Sequence, residues 1–286
     1  LKGMAMGAAH VVPGVTGGTL AFIAGIYDEL IDSIKSIDMY ALKQLFSGKI
    51  TAFWKSINGN FLVALLLGIG ISVFSLAKLI TYLLVTEPVL VWSFFFGLVL
   101  ASTWFVSKDI KEWGWKTIVG FLAGAVIAFY ITVATPANTP DSWWFIFLCG
   151  AIAICAMILP GISGSFILVL LGKYFFIMEA VKTLDLIVIG VFAAGAVMGI
   201  TTFSRVLSFA LKNFRNITMS VLAGFMLGSL NKVWPWKVVE SMTRNGVTYQ
   251  TEHNVAPNEL QAEACVLMLI GFFLVYALEK ISVRKA

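Results

Sequence analysis

Charge is scarce in this chain: Asp, Glu, Lys and Arg make up only 12% of its 286 residues, where a soluble domain carries about a quarter. Histidine occurs twice, at His10 and His253, and cysteine three times, at Cys149, Cys155 and Cys265, with no metal-type spacing among them. So thin a supply of ligand side chains excludes a zinc-type centre, and three cysteines in or beside apolar segments exclude a disulfide framework. Nucleophile elbows, Walker loops and dinucleotide fingerprints are missing too. The chain is therefore expected to hold no metal, no cofactor and no catalytic residue, and is not read as an enzyme. Its net charge of +5 does not imply a nucleic-acid partner, because membrane proteins distribute Lys and Arg asymmetrically.

What is abundant is apolar surface. Hydrophobic residues reach 59% and the mean hydropathy is +0.93, and several runs attain the roughly 20 residues that cross a bilayer. The fold class is an all-α polytopic membrane protein. The first apolar run carries a loop motif of its own, which argues against a cleavable signal peptide.

That motif, His10-Val11-Val12-Pro13-Gly14-Val15-Thr16-Gly17-Gly18-Thr19, recurs as Met157-Ile158-Leu159-Pro160-Gly161-Ile162-Ser163-Gly164-Ser165-Phe166. The correspondence keeps an offset of 147 residues from Pro13/Pro160 through Asp38/Asp185. A second correspondence, at an offset of 127, lays Gly68–Leu84 on Gly195–Leu211, Lys78 on Arg205, and Gly97–Ser102 on Gly224–Ser229. Gly120-Phe121-Leu122 pairs more weakly with Gly271-Phe272-Phe273. Such self-similarity marks a duplicated architecture.

Each copy reads as a re-entrant helical hairpin broken at Pro-Gly, followed by three transmembrane helices. The first repeat covers residues 1–142, with a hairpin over 3–34, an interfacial amphipathic helix over 37–57 and spans near 60–85, 89–107 and 117–135. The second covers 143–286, with a hairpin over 143–181, spans near 186–211, 217–233 and 262–281, and an external loop over 234–261 that carries turn signals at Asn245-Gly246 and Pro257-Asn258. A hairpin crosses the membrane an even number of times and three spans an odd number, so the two repeats are inverted. Inverted repeats with broken helices are typical of transporters whose site lies near the midplane. On this path 13 Lys and Arg fall on one side and 4 on the other, which places both termini in the cytoplasm by the positive-inside rule.

Candidate chemistry lies at the two tips. If the second arm of each hairpin begins near Val15 or Ile162, its first-turn N–H groups lack intrahelical partners and can receive an anion. Gly17, Gly18 and Gly164 allow backbone approach, and Thr16, Thr19, Ser163 and Ser165 either cap the helix or donate to a ligand. Lys78 and Arg205 are cations at membrane depth, which either snorkel to an interface or face a cavity as two charged gates. His10, one turn before Pro13, is either a hydrogen-bonded structural residue or a proton-coupling group.

Taken together, Gly7–Thr19 and Leu159-Pro160-Gly161-Ile162-Ser163-Gly164-Ser165 closely resemble the paired signatures of the PopT-type polyprenyl-phosphate transporters, and the similarity runs along nearly the whole chain. The resemblance implies a flippase of the bacterial or archaeal cytoplasmic membrane. Its cargo would be a polyprenyl-phosphate lipid, undecaprenyl phosphate, returned from the outer to the inner leaflet for cell-envelope and peptidoglycan synthesis. Carrying that anion towards a negative interior costs about 2.3 kcal/mol per charge per 100 mV, so a carrier gradient, a cation or a proton must accompany it. A small-anion transporter or channel would use the same tips. A membrane lipid phosphatase or transferase fits less well, because the Arg and paired glutamates of the undecaprenyl-pyrophosphate phosphatase type are missing from both loops.

Overall fold

Apolar runs of this length in hydrocarbon have one way to satisfy their own amides, the helix, and helices dominate. The computed structural model describes residues 2–11, 17–137, 139–244 and 247–283. The first half runs α1 (Lys2–Val11), α2 (Gly17–Ile23), α3 (Tyr27–Lys35), α4 (Met39–Phe46), α5 (Ile50–Ser56), α6 (Gly59–Thr86), α7 (Pro88–Lys108) and α8 (Trp115–Val133). The second runs α9 (Trp143–Ile158), α10 (Gly164–Leu170), α11 (Tyr174–Thr183), α12 (Leu186–Asn213), α13 (Arg215–Ser229), the strands β1 (Lys237–Arg244) and β2 (Val247–Asn254), and α14 (Gln261–Val283).

Among the described residues α6, α7, α8 and α12 are long and apolar enough to cross a membrane, and α10 with α11, bent by 109°, would make a fifth span if counted as one. The span expected over 217–233 is the 15-residue α13, about 22 Å long and short of a ~30 Å hydrocarbon core. Side chains such as Leu66, Phe74, Val126 and Met198 are exposed, which is the outward face a lipid-embedded protein presents. Trp113 and Trp115 at one end, and Trp143 and Trp144 at the other, are exposed as well, the placement of interfacial aromatic belts.

Close packing comes in matched pairs. α1 lies on α6 and α9 on α12; α7 lies on α14 and α13 on α8. Small residues let the backbones touch, as membrane helices require. A Cβ on Gly97 would strike the carbonyl of Met268, and one on Gly224 the carbonyl of Phe121. Gly124 meets Val221 O and Phe225 N, while Gly271 meets Phe94 O and Leu98 N. This packing pairs Gly271 with Gly124, at offset 147, and not with Gly120 as the short Gly-Phe match suggested. The weak sequence match failed because packing geometry, and not the Gly-aromatic doublet, fixes the register.

The second arm of each hairpin, read as one helix, is two. After α2, Gly25 N donates to Phe22 O and Ile26 N to Ala21 O, with Gly25 at φ +63°. After α10, Gly172 N donates to Val169 O and Lys173 N to Leu168 O, with Gly172 at φ +64°. Both are Schellman ends, for which glycine is the residue of least strain. Asp38 then caps α4, accepting from Ala41 N, and its counterpart Asp185 caps α12, accepting from Ile187 N and Val188 N. At this point the offset drops by 20, and the extra residues of the first half are α4 and α5. The single interfacial helix expected over 37–57 is thus two helices, parted at Gly48 (φ +73°). Beyond α13 the offset returns to 147, and the inserted segment is an antiparallel strand pair in register from Lys237↔Asn254 to Arg244↔Val247. It is the one departure from an all-α fold among the described residues. The Asn245-Gly246 turn between these strands lies outside the described residues.

Candidate functional site at the second hairpin tip

α10 turns back along α9, so that Gly164 packs on Ala153 and Leu168 joins Cys149 and Ala153 in a buried cluster. The tip between them is clamped. Pro160 and Ile162 are buried, and Gly161, at φ +90°, leaves no room for a Cβ against Ser229 Oγ and Phe225 O of α13. α2 approaches from the other hairpin: a Cβ on Gly18 would meet the carbonyl of Ile158, and Tyr27 Oη donates to that same oxygen at 3.3 Å. Gly17, Gly18 and Thr19 are buried here beside the second tip, Thr19 completely.

Of the residues singled out in the sequence, the fold therefore gathers Gly17, Gly18, Thr19, Ser163, Gly164 and Ser165 into one neighbourhood. Ser163 makes no capping hydrogen bond to α10; its Oγ lies 2.8 Å from Ser165 Oγ instead. Ser163 is half-buried and Ser165 exposed. α2 and α10 are seven residues each, so what the tips can offer is hydroxyls and first-turn amides, without a long helix behind them. Thr16 falls outside the described residues, as does the His10 side chain. Lys78 on α6 and Arg205 on α12 have exposed side chains and line neither of the cavities described next.

Two cavities flank the tips, at opposite ends of α13. The larger, of about 610 Å³, is walled by Val133, Phe166, Val169, Leu170 and Phe175 and edged by Lys232, Lys237 and Glu252. Phe166 directly follows the tip serines, and Lys232 Nζ sits 4.7 Å from its ring centroid. Sequence reading did not single out this charged edge. The smaller cavity, of about 150 Å³, lies among ion pairs that join α3 to α12 and α13. There Lys212 bonds Asp32 at 3.1 Å and Arg215 bonds Asp28 at 3.0 Å. Lys35 donates to Ser208 Oγ (3.1 Å), whose hydroxyl donates to Asp32 (2.8 Å).

The ends are not alike. α3 packs against α12 and Tyr27 is buried. Its counterpart Tyr174 on α11 is half-exposed and lines the larger cavity. One end is drawn together by helix packing and ion pairs around a small cavity, and the larger cavity lies at the other, beside the tip. No group of His, Cys, Asp and Glu able to hold a metal occurs among the described residues.

Comparison with known proteins gives this geometry a context. The family model for VCA0040-like proteins, described as undecaprenyl phosphate translocase-like, matches residues 6–251. A protein of Vibrio cholerae named polyprenyl-phosphate transporter is 45% identical, the match covering 98% of this chain and 95% of the relative. A protein of the same name from Staphylococcus aureus is 31% identical over 82% of this chain and 85% of its own length. No solved structure matches the chain.

Proposed function

From the premise that the chain belongs to the undecaprenyl phosphate translocase-like family, we propose that it is a transporter that returns undecaprenyl phosphate from the outer to the inner leaflet of the bacterial or archaeal cytoplasmic membrane, by alternating access. The observation that carries this reading is the inequality of the two ends: a cavity of about 610 Å³ beside the second hairpin tip, and one of only about 150 Å³ among the ion pairs across α3, α12 and α13 on the other side. A state with unequal access at its two ends is what an alternating carrier populates. A mostly apolar wall with charge at its edge suits a lipid whose single polar group must be carried past the bilayer centre.

In this proposal the two halves, 1–142 and 143–286, are inverted repeats, a reading supported by the matched packing of α1/α6 with α9/α12 and of α7/α14 with α13/α8. Both termini face the cytoplasm, and the cavity opens outward. The headgroup passes Ser163, Gly164 and Ser165 on one tip and Thr16, Gly17, Gly18 and Thr19 on the other. Lys78 attracts it near the outer face and Arg205 near the inner, while His10 or the phosphate itself carries the accompanying proton.

Purified protein in liposomes with labelled undecaprenyl phosphate in one leaflet tests the proposal. Leaflet exchange without release of phosphate is expected, with a severalfold slower rate in Thr16→Val and Ser163→Ala, and also in Lys78→Ala and Arg205→Ala. Transport of inorganic phosphate alone would make it a small-anion carrier, and phosphate release a phosphatase. Unchanged exchange in Lys78→Ala and Arg205→Ala would remove the two gates from the mechanism.

A further inference from the structure

The charged edge of the larger cavity has a stoichiometry of its own. Lys232 Nζ and Lys237 Nζ bond the same oxygen, Oε2 of Glu252, at 3.1 and 3.2 Å. Lys237 also donates to the carbonyl of Lys232 at 2.6 Å, and its ammonium lies 3.8 Å from the Trp92 ring centroid. Among the described residues lining this cavity, Glu252 is the only carboxylate. Two ammonium groups therefore share one carboxylate, and one positive charge is left over. The Lys237 side chain is 7% exposed and that of Lys232 21%, whereas Glu252 is 34% exposed on a strand at the rim. The carboxylate is the partner free to leave.

Resting on the transport reading above, we propose that Lys232 and Lys237 form the docking site for the phosphate monoester headgroup of a long-chain lipid, with Glu252 as the resident anion that the headgroup displaces. A phosphate monoester carries about −1.5 to −2 charges near neutral pH and three acceptor oxygens, so it balances both ammonium groups where one carboxylate balances half. The chain attached to it would lie along Phe166, Val169, Leu170 and Phe175. Because Phe166 adjoins Ser165, a headgroup held by Lys232 is already next to the tip.

Burial agrees with this. It pulls the Lys237 ammonium down to about 8, with Lys232 pushing the same way and Glu252 opposing. A cation held so uneasily gains from a stronger counter-anion. The bland alternative is an ion-paired staple fixing the strand pair to α13, and the two readings differ in what removing Glu252 does.

The experiment is titration of the full chain in nanodiscs with farnesyl phosphate, farnesol and inorganic phosphate. Wild type should bind farnesyl phosphate well above the other two. Lys232→Ala with Lys237→Ala should weaken it by tenfold or more, as loss of charge-assisted bonds does, and Lys232→Arg with Lys237→Arg should retain most of it. Glu252→Gln should tighten binding severalfold, since the competitor is gone. A folded Glu252→Gln that binds no tighter, or an alanine pair that binds like wild type, would leave only the staple. Inorganic phosphate binding as tightly as farnesyl phosphate would overturn the lipid occupant in favour of a free anion. If wild type exchanges undecaprenyl phosphate while the alanine pair loses nothing, this site fails and the transport reading stands; if wild type binds no farnesyl phosphate, both fall.

Discussion

Lys237 shows how much a single side chain's surroundings decide. Buried against Trp92 and held near 8, it is charged at neutral pH and loses that charge as pH rises through about 8. An anion that needs the ammonium is released in the same range. Binding of farnesyl phosphate should therefore fall between pH 7 and pH 9, and in Lys237→Arg, which stays protonated, the fall should disappear. Calorimetric titration across that range checks both. None of this was legible in the sequence, where Lys232 and Lys237 enter only the count of basic residues on one side of the membrane. One signal was present: Asn245-Gly246 is a strong hairpin dipeptide, and folding the segment about it sets Lys237 opposite Asn254, with Glu252 a diagonal neighbour on the same face. The tip residues were more readable, because Pro-Gly and small hydroxyl residues inside an apolar run have few structural uses. Even so, the choice between capping and donating at Ser163 needed the geometry of α10.

At the level of helices, legibility followed the solvent. Hydrocarbon permits few ways to satisfy a backbone, and so α6, α7, α8 and α12 begin and end within a few residues of the runs visible in the sequence. The breaks at Gly25 and Gly172 were harder to read, since a Schellman end is set by hydrogen bonds beyond the reach of hydropathy. Register between helices was least accessible of all, as the Gly120 and Gly124 comparison shows: both glycines sit on α8 facing α13, and only packing tells which one meets the Val221 carbonyl. That contact gives a prediction. Gly124→Val drives two methyl groups into the Val221 carbonyl and should destabilise the protein by about 1–3 kcal/mol, as overpacking does. Gly70→Val, on a helix face with nothing within 4 Å, should cost far less. Thermal unfolding in detergent compares them.

For the molecule as a whole, the closure between α3, α12 and α13 is the element most suited to opening. Its pairs are half-exposed, with Lys212 and Arg215 side chains 60% and 48% accessible. Pairs of that kind contribute roughly 0–1 kcal/mol each, enough to bias an equilibrium and too little to lock it. Asp28→Asn with Asp32→Asn should expose a Leu211→Cys side chain several times faster to a maleimide added from the side proposed to be cytoplasmic. It should also slow labelling of a cysteine at Val169 from the outside. Equal rates in both backgrounds would mean that the ion pairs do not govern the closure.

The two 20-residue insertions have a further consequence. A pair of equivalent halves facing opposite ways would treat the two leaflets alike, taking up and letting go of cargo at matching speeds. α4 and α5 are added to one half and the strand pair to the other, and they break that equivalence without changing the order of the shared helices. In the proposed transport cycle they can change how quickly cargo boards from each leaflet, but the final distribution across the membrane is still fixed by lipid concentration, voltage and the accompanying proton. In the proposed inverted arrangement, polarity is thus a matter of kinetics, conferred by the appendages on a scaffold that has no preferred direction of its own.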